Sequence, residues 1–522
     1  MTKHQELVLA VQRLPLSTQR QLLGFWLNCA SGIKSSIFFV TLKILNNWSN
    51  NRVELHQNRY TYLDNLRNFL VYNVVFFHII SIYAYPFMFW WPVIEKNRSS
   101  KGYESLILTM DIYLMPHLIF LSAFFIFLSL RSKSIIEYIK NRFMRLVIPL
   151  IVYIFCAGDI WHQILSKRLE VSNPTYFTTF FDYWRDFMNF SLITFIGKDK
   201  MLNQVWFNFH HTWFLSLLFV MSLSVVFLSM LFSQKEKVQI EVDNRKKIIT
   251  KVFILSVILS FFYTVIAILY AANNINLFAF IRVLGLVQVR VGQFWMLLFL
   301  FLFGLYAYRK DWLIRGDIGS WKMWGMISLF FLFIFVLVVH KSFLPMVEEF
   351  LKVMEHNFLF SNKIPLPKST NSFKSAYLIM NILTPMTCIF LLMFFLSFSK
   401  NFFDKPNKIT AFCSTHSINV YILHFIPVVI LQYSFMNISA APIIKIILII
   451  IIVIPSCLWL SHHLVYPYPR AAISFFVILK LVSLFLGFDF YYNALLALLF
   501  ICFSGALYES VKLLMSFKSA HI

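Results

Sequence analysis

Apolar runs of about twenty residues recur along this chain, separated mostly by short polar or basic links, and this limits its fold more than any motif. They fall at about 67–91, 109–130, 143–161, 207–232, 248–272, 287–308, 323–340, 376–398, 415–436, 440–463, 471–487 and 490–511. Each is long enough to cross a hydrocarbon layer as a helix. None alternates apolar and polar residues at every second position, which favours helices over a transmembrane barrel. Hydrophobic residues make up 59% and charged residues 13% of the 522-residue chain. Soluble domains run at roughly 45–50% and 25%. Soluble, fibrous, disordered and disulfide-scaffold classes are thereby excluded. The expected fold is an all-α polytopic membrane protein with about 10 transmembrane helices and two further C-terminal helices. Only Gly487 and Asp489 mark the turn between those last two.

The net charge of +23 would suggest nucleic acid in a soluble protein, but here the basic residues sit in the links. There they orient the spans and meet anionic lipid. Arg131, Lys133, Lys140, Arg142 and Arg145 fall on one side, with 235–251, Arg309, Lys310, Arg315, Lys322, Lys400, Lys405 and Lys408. The short opposite links are poorer, so the N-terminus is expected in the cytoplasm. Residues 1–20 do not read as a cleavable leader, and Leu22 to Leu45 read as an interfacial helix rather than a span. The six cysteines are scattered singly, and no Cys-x-x-Cys or His-Glu-x-x-His spacing points to a metal.

Ionisable groups inside spans are costly, so each needs a reason. His78 follows Arg67 by eleven residues, about 16 Å along a helix, which puts Arg67 at the headgroups and His78 near mid-membrane. His424 lies about 14 Å into a span that starts from the same side, at a matching depth. Two histidines at one level suggest one central site, against the blander reading of two unrelated packing contacts. Arg142 and Arg145, three residues apart, share a helix face and suit a phosphate or carboxylate. Adjacent histidines, as in His210-His211 and His462-His463, point about 100° apart and make poor metal co-ligands. Trp213 reads as an interface aromatic. Arg282 and Arg290 open the sixth span; Arg290 either pairs with a carboxylate or holds an anionic group. Asp111 and Asp159, near outer span ends, read as water-facing. No Gly- or Pro-broken pair of spans stands out.

At these residues the sequence resembles the acyltransferase-3 family of membrane acyltransferases, closest to its glucan biosynthesis protein C-like branch. Leu63-Asp64-Asn65-Leu66-Arg67, ten residues and His78 match the family's first span. Met115 to Ala123 is similar to its Met-Pro-x-x-x-Phe-x-Ser-Gly block, with Ala123 where the family has Gly. Arg142, Arg145, Leu146 and Pro149 match Arg-x-x-Arg-Leu-x-x-Pro, His211 to Leu215 match His-x-Trp-Phe-Leu, and Tyr421 to His424 match Tyr-x-x-His. The motifs keep the family's order.

The resemblance implies O-acylation: an acetyl or succinyl group moves from cytoplasmic acyl-CoA to a hydroxyl of a surface or periplasmic glycan or its lipid-linked precursor. A bacterial inner membrane is the implied location, with acyl-CoA as co-substrate and no bound cofactor or metal. Segments are expected at 1–60 (cytoplasmic or interfacial), 61–465 (membrane acyltransferase domain) and 466–522 (added helices and a short tail). In this reading Arg67, Arg142 and Arg145 hold the donor, and His78 is the general base with His424 beside it. Arg290, His211 and Trp213 are candidate substrate or oxyanion contacts. A base with an unperturbed pKa near 6.5 suits such a proton transfer, although an acyl-histidine intermediate is an alternative. The rival reading is a proton-coupled transporter or flippase of a glycan or other anionic solute.

Overall fold

The computed structural model describes residues 60–85, 88, 91–131, 133–169, 193–196, 210–231, 243–272, 280–283, 287–345, 371–405 and 407–519. The segment 22–45 and most of the two long loops at 162–206 and 341–375 lie outside them. Among the described residues ten helices are long and apolar enough to cross a membrane, and a bent pair makes an eleventh candidate span. The protein is an all-α polytopic membrane protein. A small antiparallel sheet joins β1 (Ile193–Ile196), β2 (Phe280–Val283) and β3 (Val287–Arg290), in that order.

The helices are α1 (Thr61–Ile80), α2 (Lys101–Arg131), α3 (Ile135–Arg142), α4 (Ile148–Leu169), α5 (Trp213–Leu231), α6 (Arg245–Ala272) and α7 (Val291–Arg309). They continue with α8 (Trp321–Val338), α9 (Asn371–Phe402), α10 (Lys408–Leu423), α11 (Phe425–Phe435), α12 (Pro442–Leu460), α13 (Pro469–Leu486) and α14 (Phe488–Ser519). α1 packs against α2, α9, α10, α11 and α12. The outer helices present Phe261, Phe330, Phe333, Phe485 and Ile501 at more than half exposure. In water such a surface would aggregate; against lipid tails it costs nothing.

Three expectations change. The first span was expected to run to residue 91, but α1 ends at Ile80, with a 3₁₀ turn at Ser81–Tyr83. Tyr85 precedes Pro86, and a residue before proline is pushed out of the helical region. The chain then folds back and buries Trp91 completely. The ninth span was expected as one run over about 415–436, and no Gly- or Pro-broken pair of spans stood out. Instead α10 and α11 meet at His424 with a bend of 58°. Pro427 lacks a backbone N–H, and in a continuous helix its ring would press on the Leu423 carbonyl. Lastly, Asp159 is not water-facing: it is fully buried and pairs with Lys480 of α13, also fully buried. A lysine in a span needs such a partner. Tyr491 of α14 reinforces the joint, donating to the Cys156 carbonyl while its ring carries the Lys480 ammonium at 4.8 Å.

Ala123, where the family has Gly, still allows close packing, because the small residue is on the facing helix. A Cβ on Gly304 of α7 would come within 2.9 Å of the Ala123 methyl and 2.5 Å of the Phe120 carbonyl oxygen. Gly487, at φ 92°, makes the turn between α13 and α14.

Removing one member of a buried ion pair strands the other charge, at a cost of about 3–5 kcal/mol. Lys480→Met is therefore expected to lower the thermal unfolding temperature in detergent, and adding Asp159→Leu to restore most of it. Equal losses for the single and double variants would show that the pair does not hold α13 to α4.

Candidate functional site

The polar residues of α1 fix its position against α10 and α11. Arg67 donates from Nη2 to Ser414 Oγ at 3.0 Å, and Asn68 donates to the Thr410 carbonyl at 3.1 Å. Two to three turns deeper, Gln432 of α11 donates from Nε2 to the carbonyls of His78 and Ile79 at 2.9 and 3.0 Å. Its Oε1 accepts from the Trp91 indole at 2.9 Å. One glutamine thus ties α1, α11 and the returning loop at the level of His78.

The two histidines expected at one depth are in contact. The rings of His78 and His424 lie 5.3 Å apart, inclined by 27°. His211 joins them, its ring 5.0 Å from His424 and 6.1 Å from His78. Trp91 stacks on His78 at 5.3 Å and 14°, and Phe425 stacks on His211 at 4.6 Å and 12°. Trp161 of α4 backs both, stacked on Phe425 and edge-on to Trp91. Tyr421 donates its hydroxyl to the His211 carbonyl, so the Tyr-x-x-His stretch anchors the next histidine.

The hydrogen bonding defines the chemistry available. His424 Nδ1 lies 3.0 Å from the Val420 carbonyl. A carbonyl only accepts, so Nδ1 carries the proton and the neutral ring keeps its lone pair on Nε2. That Nε2 is buried with no partner among the described residues, as is Nδ1 of His78. Orphaned buried nitrogens of this kind are rare in a purely structural setting. His78 retains 8% exposure and His424 none. No group of three or more His, Cys, Asp or Glu able to hold a metal occurs among the described residues.

A cationic cluster lies at the Arg67 end of α1. Arg145 is within electrostatic range of both Arg142 and Arg67. It sits on a π turn, Phe143–Val147, between α3 and α4; such wide turns concentrate at functional sites. Arg142 lies over the Tyr138 ring and donates to its hydroxyl at 3.1 Å. Lys133, read from sequence only as an orienting charge, belongs to the cluster. Burial, then repulsion from Arg145, pulls its ammonium below its ordinary range despite Glu137 nearby. Asp64, 3.0 Å from Arg67, is the carboxylate paired there.

Other candidates fall elsewhere. Arg290 precedes α7 instead of lying within it, and its Nη1 meets Asp111 Oδ2 at 2.7 Å, with Gln293 on the same oxygen at 2.8 Å. Trp213 opens α5 and meets Phe214 edge-on. His117 bonds the Cys388 carbonyl between α2 and α9. His463 pairs with Glu509 of α14. The side chains of His210 and Arg282 lie outside the described set.

Sequence reasoning did not single out Trp91, Gln432, Trp161 or Lys480. Lys480 was the legible one, as a lone lysine inside an apolar run.

Buried histidines meet inside an all-α bundle of membrane-length helices, with basic residues gathered at the other end of the helix that carries His78, and the class this defines is a polytopic membrane protein. The match to known families agrees: the acyltransferase domain of the acyltransferase-3 family covers residues 60–462, and the chain belongs to that family. It is a membrane acyltransferase. No curated protein and no solved structure matches the chain.

Gln432→Leu would leave the Trp91 indole and two backbone carbonyls without their partner, at about 1–3 kcal/mol for each group left unsatisfied. The expected result is a lower unfolding temperature and a shift in tryptophan emission as Trp91 leaves its slot. Wild-type emission and stability in this variant would refute the glutamine's tying role.

Proposed function

We propose that this acyltransferase takes its acyl group from cytoplasmic acyl-CoA and delivers it to a hydroxyl of a glycan, or of a lipid-linked glycan precursor, on the far side of the membrane. The observation that carries this reading is the contact between His78 and His424, on a helix whose other end bears Arg67 beside Arg145 and Arg142. A highly anionic donor and a thioester on a flexible arm need that layout: cations at the mouth and a base deep inside. The narrower likeness to the glucan biosynthesis protein C branch rests on motif order alone. An acetyl or succinyl group and a bacterial inner membrane are part of the same proposal.

In the mechanism, Arg67, Arg142, Arg145 and Lys133 bind the donor's phosphates by charge-assisted hydrogen bonds. The thioester reaches His78, which takes the proton of the acceptor hydroxyl as its oxygen attacks the carbonyl carbon. The carbon–sulfur bond breaks, and the leaving thiolate collects a proton from the His78 imidazolium. The products are the acyl ester and free coenzyme A. His424, with its lone pair on Nε2, orients His78 or relays its proton. We assign Arg290 no part in oxyanion stabilisation, because its Nη1 pairs with Asp111, whose Oδ2 also accepts from Gln293.

The transporter reading gains one observation, the broken span at His424. Inverted-repeat transporters use a pair of such breaks at corresponding positions. One break within an acyltransferase domain is better explained by the need to seat His424.

His78→Ala is expected to lower acyl incorporation from labelled acyl-CoA by about 10²–10⁴-fold, the range for losing a general base. Expression and unfolding temperature should hold; retained activity would reject the base. Combining Arg142→Ala with Arg145→Ala should weaken acyl-CoA binding by at least about tenfold at low salt and less at high salt. Donor affinity unchanged at either salt would remove these arginines from the donor site.

A further inference from the structure

Beside the arginines, on residues that the mechanism leaves unused, lies a group of aromatic rings. α12 does not end at Leu460 but widens into a π turn, Ser461–Val465, closed by the Tyr466 N–H on the Ser461 carbonyl five residues back at 2.8 Å. Ser461 is fully buried, and α10 grips it: Asn419 donates to its Oγ at 2.8 Å, and His416 Nδ1 meets the same atom at 2.8 Å. The turn brings His462 against Phe412 at 5.3 Å and against His416 at 5.4 Å, with Tyr466 5.3 Å from His416. His416 is buried, whereas Phe412 is 39% and Tyr466 51% exposed, and His462 is exposed as well. The outcome is a ledge of exposed rings held from behind by a buried polar knot.

The ledge and the cationic cluster share one end of α10: Ser414, which receives the Arg67 hydrogen bond, is at the level of Phe412 and His416, on the opposite face of the helix. The Tyr466 phenol is within electrostatic range of the Arg145 guanidinium. An ordinary positive-inside cluster needs neither rings nor a widened helix. Exposed aromatic faces beside guanidiniums suit a nucleotide, whose base presents a π face and whose phosphates present oxygens. A lipid headgroup would use the arginines and leave the rings idle.

We infer that Tyr466, His462 and Phe412 form a subsite that stacks the purine base of the donor's nucleotide, while the arginines hold its phosphates and the acyl-bearing arm runs toward His78. This rests on the acyl-CoA reading and deepens it. Tyr466 lies beyond the residues that match the family domain.

The test compares two probes, coenzyme A and 4′-phosphopantetheine, which lacks the adenosine part. Both are titrated onto the purified full-length protein in detergent. Tyr466→Ala should weaken coenzyme A by about tenfold, the loss of one stacking contact, and leave phosphopantetheine within about twofold. Tyr466→Trp should keep coenzyme A near wild type. If Tyr466→Ala weakens both probes equally, or neither, the stacking subsite is overturned while the donor reading stands. If the wild type binds neither probe, the donor reading falls and the subsite with it.

Discussion

Inside a membrane a polar group must find its partner within the protein, and that constraint organises this molecule. α1 is not held by apolar packing alone. Arg67 on Ser414, Asn68 on the Thr410 carbonyl and Gln432 on the His78 and Ile79 carbonyls lock it to α10 and α11. Because α1 carries His78 and the α10–α11 junction carries His424, the bonds that hold these helices together also set the distance between the rings. The break at His424 belongs to this design. It lets the chain change direction at the residue whose Nε2 has no partner among the described residues.

The two ends of α1 have opposite characters. At the Arg67 end the described residues gather Arg67, Arg142, Arg145 and Lys133 with Asp64 and Glu137, an excess of positive charge that an anion would offset. At the other end Trp91 closes over His78 and is held there by Gln432. The loop after Trp91 is fastened in turn by Glu95, which meets Lys445 of α12 at 2.6 Å, with both side chains buried. The histidines therefore lie between a cationic cluster and an aromatic wall.

Much of the bundle was legible because a span must be apolar over a length set by the bilayer, and that pattern survives without knowledge of packing. The pairing of His78 with His424 was legible for a similar reason, since helix rise converts residue number into depth. Features that depend on which helix faces which were not. Asp159 looked like a water-facing end residue because its partner is 321 positions away, on α13. Arg290 had two readings because depth alone does not tell whether a carboxylate such as Asp111 stands opposite. Trp91 passed for the end of a span, although Pro86 and Pro92 on either side signal a chain that turns back. Pro427, three residues past His424, was the overlooked mark of the bend.

A cryo-EM structure with a thioether analogue of acyl-CoA, which cannot transfer its acyl group, tests the central claim most directly. The account predicts phosphate density on Arg67, Arg142 and Arg145, and the sulfur beside the rings of His78 and His424. An analogue bound at the Trp91 end, or one whose arm stops short of both histidines, would contradict it.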